Sequence, residues 1–333
     1  MDKLKIGLIG TGRLGALYAD YLATRIPQAE LFAVAGHRAG EIASQYGVTV
    51  ASNDRLGVIN NHRVDAFVIC SSTDTHVQFI REAFRVKKPV FCEKPLCLRY
   101  EDTQVLLDEQ NDTYFQQGFM RRFDPHYITA KTRIEDDVIG RPVLFKSTSR
   151  DMTRTSIEYA KTSGGLIIDM GIHDIDLARF FVGEIDDIHT VGRCLVFPEL
   201  GEIGDIDNAI MTLRFKQGAL GVIDISRNAS YGYDVTTEIL GTKGAVRVGY
   251  LTDVHVQTML YDSLARPTLK SFMDRFEQSF INQLDNYVRN VLEGNPSPVT
   301  LRDGIEAVRW AEIARKQSDN RPIENTLFGA HRI

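Results

Sequence analysis

The chain has 333 residues, of which 43% are hydrophobic and 25% charged, with a formal net charge of −5. This is an ordinary globular composition, and the length suits two domains better than one core. No long basic run recommends a nucleic-acid partner, and no uninterrupted apolar stretch approaches the ~20 residues of a membrane-spanning helix. Met1 to Ile6 lead straight into a strand pattern, so no secretory signal is expected. The cysteines Cys70, Cys92, Cys97 and Cys194 form no CxxC pair and have no histidine in ligand spacing. Most lie in or beside apolar runs, where a thiol behaves as a small hydrophobe. Neither a disulfide nor a metal site is expected, and a reducing cytoplasm is.

Residues 1–120 alternate apolar runs with amphipathic segments. The runs are Leu4–Ile9, Glu30–Ala35, Ala66–Cys70, Pro89–Cys92 and Tyr114–Gln117, and helical patterns cover Leu14–Ala23, Thr75–Arg85 and Tyr100–Gln110. Apolar strands alternating with helices predict an α/β domain, a doubly wound parallel sheet covered on both faces. Residues 121–333 read differently. Strands are expected at 142–150, 187–198, 206–215, 219–229, 234–240, 244–249 and 253–261, with turns at Gln217-Gly218 and Gly241-Thr242-Lys243-Gly244. A helix is expected from Gly165 to Phe181, and two more at 272–293 and 302–318. This second part is an α+β domain on a mostly antiparallel sheet. The boundary is placed at Gly118–Arg122.

Gly10-Thr11-Gly12-Arg13-Leu14-Gly15 follows the first strand and opens a helix. In that context the first glycine allows a tight turn, the second lets backbone approach a pyrophosphate, and the third brings helix and strand together. The phosphates would then meet the positive end of a helix, beside Arg13 and Leu14. The second strand ends in Gly36-His37-Arg38, where a carboxylate for the adenosine ribose is usual. Gly36 removes the repulsion that would exclude a 2′-phosphate, and His37 or Arg38 can contact one. Equally, backbone and water there can serve an NAD ribose. NAD and NADP both stay open. Ser71, Ser72, Thr73 and His76 follow another strand at a place where a dinucleotide would lie, although Ser72 or Thr73 can also simply cap the next helix.

Glu93-Lys94-Pro95 follows the run Pro89–Cys92. Pro95 restricts the residue before it to an extended conformation, and an ammonium at the carboxyl end of such a strand can steady negative charge developing on a hydroxyl. Asp169, His173 and Asp176 are spaced i, i+4 and i+7, so on one helix they share a face. Apolar Leu166, Ile167, Ile168, Met170 and Ile172 surround them, which argues for burial, and buried charge needs a partner or a task. His173 is suited to take a proton near neutral pH, and Asp169 to orient a hydroxyl or raise the basicity of the site.

Gly10–Gly15, Glu93-Lys94-Pro95 and Asp169…His173…Asp176 together resemble the glucose–fructose oxidoreductase and inositol dehydrogenase family over essentially the whole chain. Phe119 to Asp124 and Tyr231-Gly232-Tyr233-Asp234 are most similar to its inositol 2-dehydrogenase branch. The resemblance implies that Lys94 and His173 are catalytic, with Asp169 beside the reacting hydroxyl. It implies that Arg121, Asp151 and Tyr233 contact substrate with them, and that Glu93 and Lys94 border the cofactor. Gly36 departs from the Asp of many NAD-using relatives and leaves cofactor preference open. The implied reaction is oxidation of a ring hydroxyl of myo- or scyllo-inositol by NAD(P), in a homo-oligomer, dimer or tetramer. The alternatives are a dehydrogenase of an aldose or anhydrosugar, and a dinucleotide-binding sensor without turnover.

Overall fold

The computed structural model describes residues 3–249, 258–259, 261, 264–265 and 268–318. The chain divides into two compact units, Met1–Asp124 with Gln278–Arg309, and Pro125–Glu277 with Trp310–Ile333. The boundary read near residue 120 falls within a few residues of the first crossing. The assignment of everything beyond it to one domain differs from the packing, because residues 278–309 return to the first unit. No shift in composition marks that return.

In the first unit six strands form an all-parallel sheet: β1 (Leu4–Ile9), β2 (Ala29–Ala35), β3 (Val50–Ser52), β4 (Ala66–Ile69), β5 (Val90–Glu93) and β6 (Phe115–Gly118). Their order is β3-β2-β1-β4-β5-β6. Helices α1 (Arg13–Thr24), α2 (Ala39–Tyr46), α3 (Arg55–Ile59), α4 (His76–Arg85) and α5 (Gln104–Glu109) connect them. Every residue of β4 and β5 is buried, as strands covered on both faces must be. Short β3 and the helices α2 and α3 escaped the sequence reading, because β3 is a half-exposed run of only three residues.

Register fixes what this sheet presents. Ile9 lies opposite both Ala35 and Ile69, Ile69 opposite Cys92, and Cys92 opposite Gln117. The segments that leave β1, β2, β4, β5 and β6 therefore begin along one carboxyl edge. The strand order reverses between β1 and β4, and ligands of open α/β sheets bind at such a switch point.

The second unit holds a sheet of β7 (Pro142–Arg150), β8 (Ile185–Arg193), β9 (Asn208–Phe215), β10 (Leu220–Ser226), β11 (Asp234–Gly241) and β12 (Ala245–Val248). The order is β12-β11-β7-β10-β9-β8, and every neighbouring pair is antiparallel except β7 with β10. Burial alternates along β9, so one face is core and the other is open. Helices α6 (Pro125–Glu135), α7 (Ile157–Ser163), α8 (Ile172–Val182) and α9 (Pro198–Glu202) accompany this sheet. The strand expected at 253–261 lies outside the described residues except at Thr258, Met259 and Tyr261. There β13 (Thr258–Met259) pairs with β14 (Leu264–Ala265). The chain then forms α10 (Phe272–Glu293) and α11 (Leu301–Gln317), close to the limits expected. Within the first unit, Tyr287 of α10 donates to the Phe67 carbonyl at 3.0 Å, and its ring lies 5.8 Å from Phe91. No helix among the described residues is long and apolar enough to cross a membrane.

Candidate active site

The glycines of the β1–α1 turn have separate tasks. Gly10 adopts φ +112°, and a Cβ there would lie 2.6 Å from the Cys70 carbonyl carbon and the Ser71 nitrogen, at the end of β4. A Cβ on Gly15 would lie 2.2 Å from the Gly10 oxygen, so this glycine sets how close α1 comes to the turn. A Cβ on Gly12 would meet nothing within 4 Å. Gly12 is the N-cap of α1 and gives no side-chain cap, and the first turn carries no acidic residue. An uncapped helix start beside open space fits a dinucleotide pyrophosphate. Arg13 is exposed and Leu14 half-buried at this start.

Gly36 is glycine for a steric reason. It has φ +151°, and a Cβ would fall 2.4 Å from Thr11 Oγ1. That hydroxyl accepts from the Arg38 amide at 3.0 Å and lies 3.4 Å from His37 Nδ1. Thr11 thus takes the space that a ribose-binding carboxylate at position 36 would need. The side chains of His37 and Arg38 are exposed, and Arg38 pairs with Glu41 at 2.9 Å. Ser71 Oγ lies 2.7 Å from Thr75 Oγ1, and Ser72 is the N-cap of a short 3-10 turn, Thr73–Thr75, without a side-chain bond. The Ser72 hydroxyl therefore does not cap.

Lys94 emerges half-buried from β5, with a cis bond to Pro95. Two groups hold its turn from inside the first unit. Glu93 is buried, and its Oε2 accepts the Lys94 amide at 3.0 Å. Its Oε1 accepts from the Tyr18 hydroxyl of α1 and from Gln283 Nε2 of α10, the latter at 3.3 Å; Gln283 also bonds Tyr18 at 2.7 Å. Burial pushes the Glu93 carboxyl above its ordinary range, against the opposing bond from Tyr18. His76, also buried, places Nδ1 2.9 Å from the Pro95 carbonyl and Nε2 3.1 Å from the Ser71 carbonyl. It ties the Lys94 turn to the Ser71 loop, and burial lowers its pKa. The side chains of Glu93 and His76, expected at the cofactor, are thus engaged in the protein interior.

The helix expected over 165–181 is present, but with a π-helical turn inside it. Gly165, at φ +83°, and Leu166 open the helix, residues Ile167–Gly171 form the π-helical turn, and α8 continues from Ile172. Such a turn holds an extra residue and is frequent at functional sites. Asp169 sits in it, so it does not continue an α-helical stripe with His173 and Asp176. Its Oδ2 accepts Arg227 Nη2 at 2.9 Å, and its Oδ1 accepts the Tyr159 hydroxyl at 2.8 Å. His173 and Asp176 are buried in α8, as the apolar surroundings required. Asp205 anchors the start of the turn by accepting the Leu166 amide at 2.9 Å. Asp174 accepts both Ser147 and Ser149 of β7, the latter at 2.9 Å, which fixes α8 to the sheet.

Two family models match the chain. One, the oxidoreductase family with an NAD-binding Rossmann fold, covers residues 4–114; the other, the GFO/IDH/MocA C-terminal domain, covers residues 127–247. The chain belongs to the GFO/IDH/MocA oxidoreductase family. It is 37% identical over 325 residues to the myo-inositol 2-dehydrogenase of Thermotoga maritima, across 96% of this chain and 97% of that protein. It is 34% identical over 304 residues to the scyllo-inositol 2-dehydrogenase (NAD+) of Bacillus subtilis, across 90% of this chain and 89% of that one. The solved scyllo-inositol dehydrogenase of Lactobacillus casei with bound NAD(H) and scyllo-inositol has a TM-score of 0.89 at 32% identity, covering 95% of this chain and 97% of that chain.

In this GFO/IDH/MocA oxidoreductase the residues singled out from sequence fall in both units. Gly10 to Leu14, Gly36 to Arg38, Ser71 to Thr73, His76, Glu93 and Lys94 lie in the first, all but His76 on the shared sheet edge or in its loops. Arg121 is also in the first unit and buried, in the 3-10 turn Met120–Phe123. Asp151, Asp169, His173 and Tyr233 lie in the second. Asp151 follows β7 with its amide on the Ser226 carbonyl at 2.9 Å, and Tyr233 precedes β11 with its amide on Leu269 at 2.8 Å. Sequence reasoning missed Arg227, Tyr159, Asp205 and Tyr18. Arg227 stood in the strand expected at 219–229, but nothing about Ser226-Arg227-Asn228 signals a buried guanidinium.

Proposed function

We propose that this oxidoreductase is an NAD-dependent inositol 2-dehydrogenase-like enzyme, which oxidises one ring hydroxyl of a cyclic polyol, myo- or scyllo-inositol, to a ketone. The observation that carries the reading is the presence, in one chain, of Lys94 braced at the end of β5 and of His173 with Asp169 at the start of α8. Bound NAD supplies the acceptor for the hydride that leaves the hydroxyl-bearing carbon. Gly10, Gly12 and the start of α1 would hold its pyrophosphate, and the Gly36–Arg38 and Ser71–Thr73 loops would serve its riboses. His173 accepts the proton of the reacting hydroxyl as general base. The Lys94 ammonium orients that oxygen and steadies the charge it develops. Asp169 orients the hydroxyl next to His173, and Arg121, Asp151 and Tyr233 bind the remaining ring hydroxyls.

The enzyme is further proposed to work as a homo-oligomer in a reducing compartment. Val191 of β8 stands opposite Ile210 of β9, and Leu220 of β10 and Leu240 of β11 both stand opposite Leu144 of β7. Val191, Ile210, Leu220 and Leu240 are exposed, and an open apolar sheet face of this kind suits a second copy. All four cysteines are free thiols.

Purified protein mixed with myo-inositol, scyllo-inositol, aldoses and an anhydrosugar, each with NAD or NADP, tests the reading through the absorbance of reduced cofactor. Turnover of an inositol with NAD is expected. Turnover confined to an aldose or anhydrosugar would move the substrate assignment, and bound NAD without any turnover would favour a sensor.

A further inference from the structure

Arg227 is the largest fully buried side chain among the described residues, at 0% exposure, and it leaves the end of β10 to lie under the π-helical turn. A guanidinium cannot shed its charge in a protein, so one taken wholly out of water requires an anion and further acceptors. Both are present. Nη2 donates to Asp169 Oδ2 at 2.9 Å and Nη1 to Thr155 Oγ1 at 2.9 Å. The backbone is held as well, since the Arg227 amide donates to the Asp207 carbonyl at 2.9 Å. Asp207 in turn accepts the amides of Leu195, Val196 and Phe197, each at 2.7 Å. The cation therefore stands on a fixed base, and the carboxylate it grips is a member of the proposed chemical set.

We propose that Arg227 is a positioning residue for the dehydrogenase reaction: it fixes Oδ2 of Asp169 so that the carboxylate offers one orientation to the substrate hydroxyl. The side chain lies behind Asp169 and acts only through it. The inference rests on the reading of Asp169 as part of the active site. It also changes how an Asp169 variant is to be interpreted. Removing the carboxylate strands a buried guanidinium, so loss of activity in Asp169→Ala mixes lost chemistry with a disturbed fold.

A double-mutant cycle separates the two. Asp169→Asn, Arg227→Met, Arg227→Lys and the double Asp169→Asn/Arg227→Met variant are compared in the full-length protein. The readouts are kcat and KM for the inositol that wild type turns over, NAD affinity and Tm. Misplacing a reacting group by about 1 Å can cost on the order of 100-fold, and a kcat loss of that size is expected for Arg227→Met, with NAD affinity within about twofold of wild type. Arg227→Lys, which keeps the charge but not the fork, is expected to recover part of kcat. The double variant should be no slower than Asp169→Asn alone and should regain Tm relative to either single change.

A folded Arg227→Met with kcat within about threefold of wild type would overturn the inference. So would a double variant slower than Asp169→Asn by a further tenfold or more, because Arg227 would then act on its own. If both single Arg227 variants fail to fold, the double variant decides, since it leaves no buried charge unpaired. Asp169→Asn with near wild-type kcat is a different result: it removes Asp169 from the active site and sinks the functional reading instead.

Discussion

The dinucleotide edge of the first unit and the Asp169 turn of the second are built by opposite means. At the edge the design is absence of side chain: Gly10, Gly15 and Gly36 sit where a Cβ would strike backbone or Thr11, and Gly12 where it would meet nothing. In the turn the design is charge out of water, with Asp169 on Arg227, Asp174 on two serines and Asp205 on the Leu166 amide. The edge consists of local steric rules, each testable at one position. The turn is a coupled network in which any single removal leaves a partner unsatisfied, and uncompensated buried charge is costly.

The largest expected effect lies at Lys94, at the end of β5. Lys94→Ala should lower kcat by about 10²–10³-fold, the loss typical of removing one group that stabilises an oxyanion, with a much smaller change in NAD affinity by calorimetry. An equal loss in both would make Lys94 part of the cofactor site alone. The next test separates two glycines of one motif. Gly15→Ala forces a Cβ against the Gly10 oxygen and should cost about 1–3 kcal/mol in denaturant unfolding, weakening NAD binding too. Gly12→Ala should leave the unfolding curve in place and weaken NAD binding only. Stability lost in both would mean that the open space at Gly12 serves the fold and not a ligand.

Smaller effects probe the supports. Tyr18→Phe deletes a bond to the buried Glu93 carboxylate and should lower stability by roughly 1.5–3 kcal/mol, with a drop in kcat as the Lys94 turn loosens. An unchanged kcat in a destabilised protein would reduce Tyr18 to packing. Asp207 has a depressed pKa: burial opposes ionisation, but three amides and Asn208 outweigh it. A carboxyl that is more acidic when folded stabilises the protein above its unfolded pKa, and that gain disappears as pH falls through the folded value. Asp207→Asn should therefore lower Tm at pH 7, and the difference from wild type should shrink as the pH falls below the ordinary aspartate value of 3.8. A difference independent of pH would exclude the charge as its source.

The two regions also differ in how far the sequence reveals them. Runs such as Leu4–Ile9 and Ala66–Ile69 follow from burial on both faces, and the glycine spacing of 10, 12 and 15 states its own geometry. Gly36 was legible only as a missing carboxylate, because the reason for it, Thr11, lies 25 positions earlier and meets it through β1–β2 register. The polar turn was read as plain α-helix, since a π-helical turn has no pattern of apolar spacing. The return of residues 278–309 to the first unit was hidden as well, for a long amphipathic helix does not say which sheet it covers. Arg227 was invisible for a similar reason, its burial being set by Asp169, 58 residues away.

The most direct test of the whole account uses His173→Ala, assayed for inositol oxidation and for NAD affinity on the same preparation. The account predicts turnover lowered by about 10²–10⁴-fold, the usual contribution of a positioned base, with NAD affinity within about twofold of wild type. Turnover within tenfold of wild type would contradict it, because the proton would then leave by another route and the turn before α8 would not be the chemical half of the enzyme.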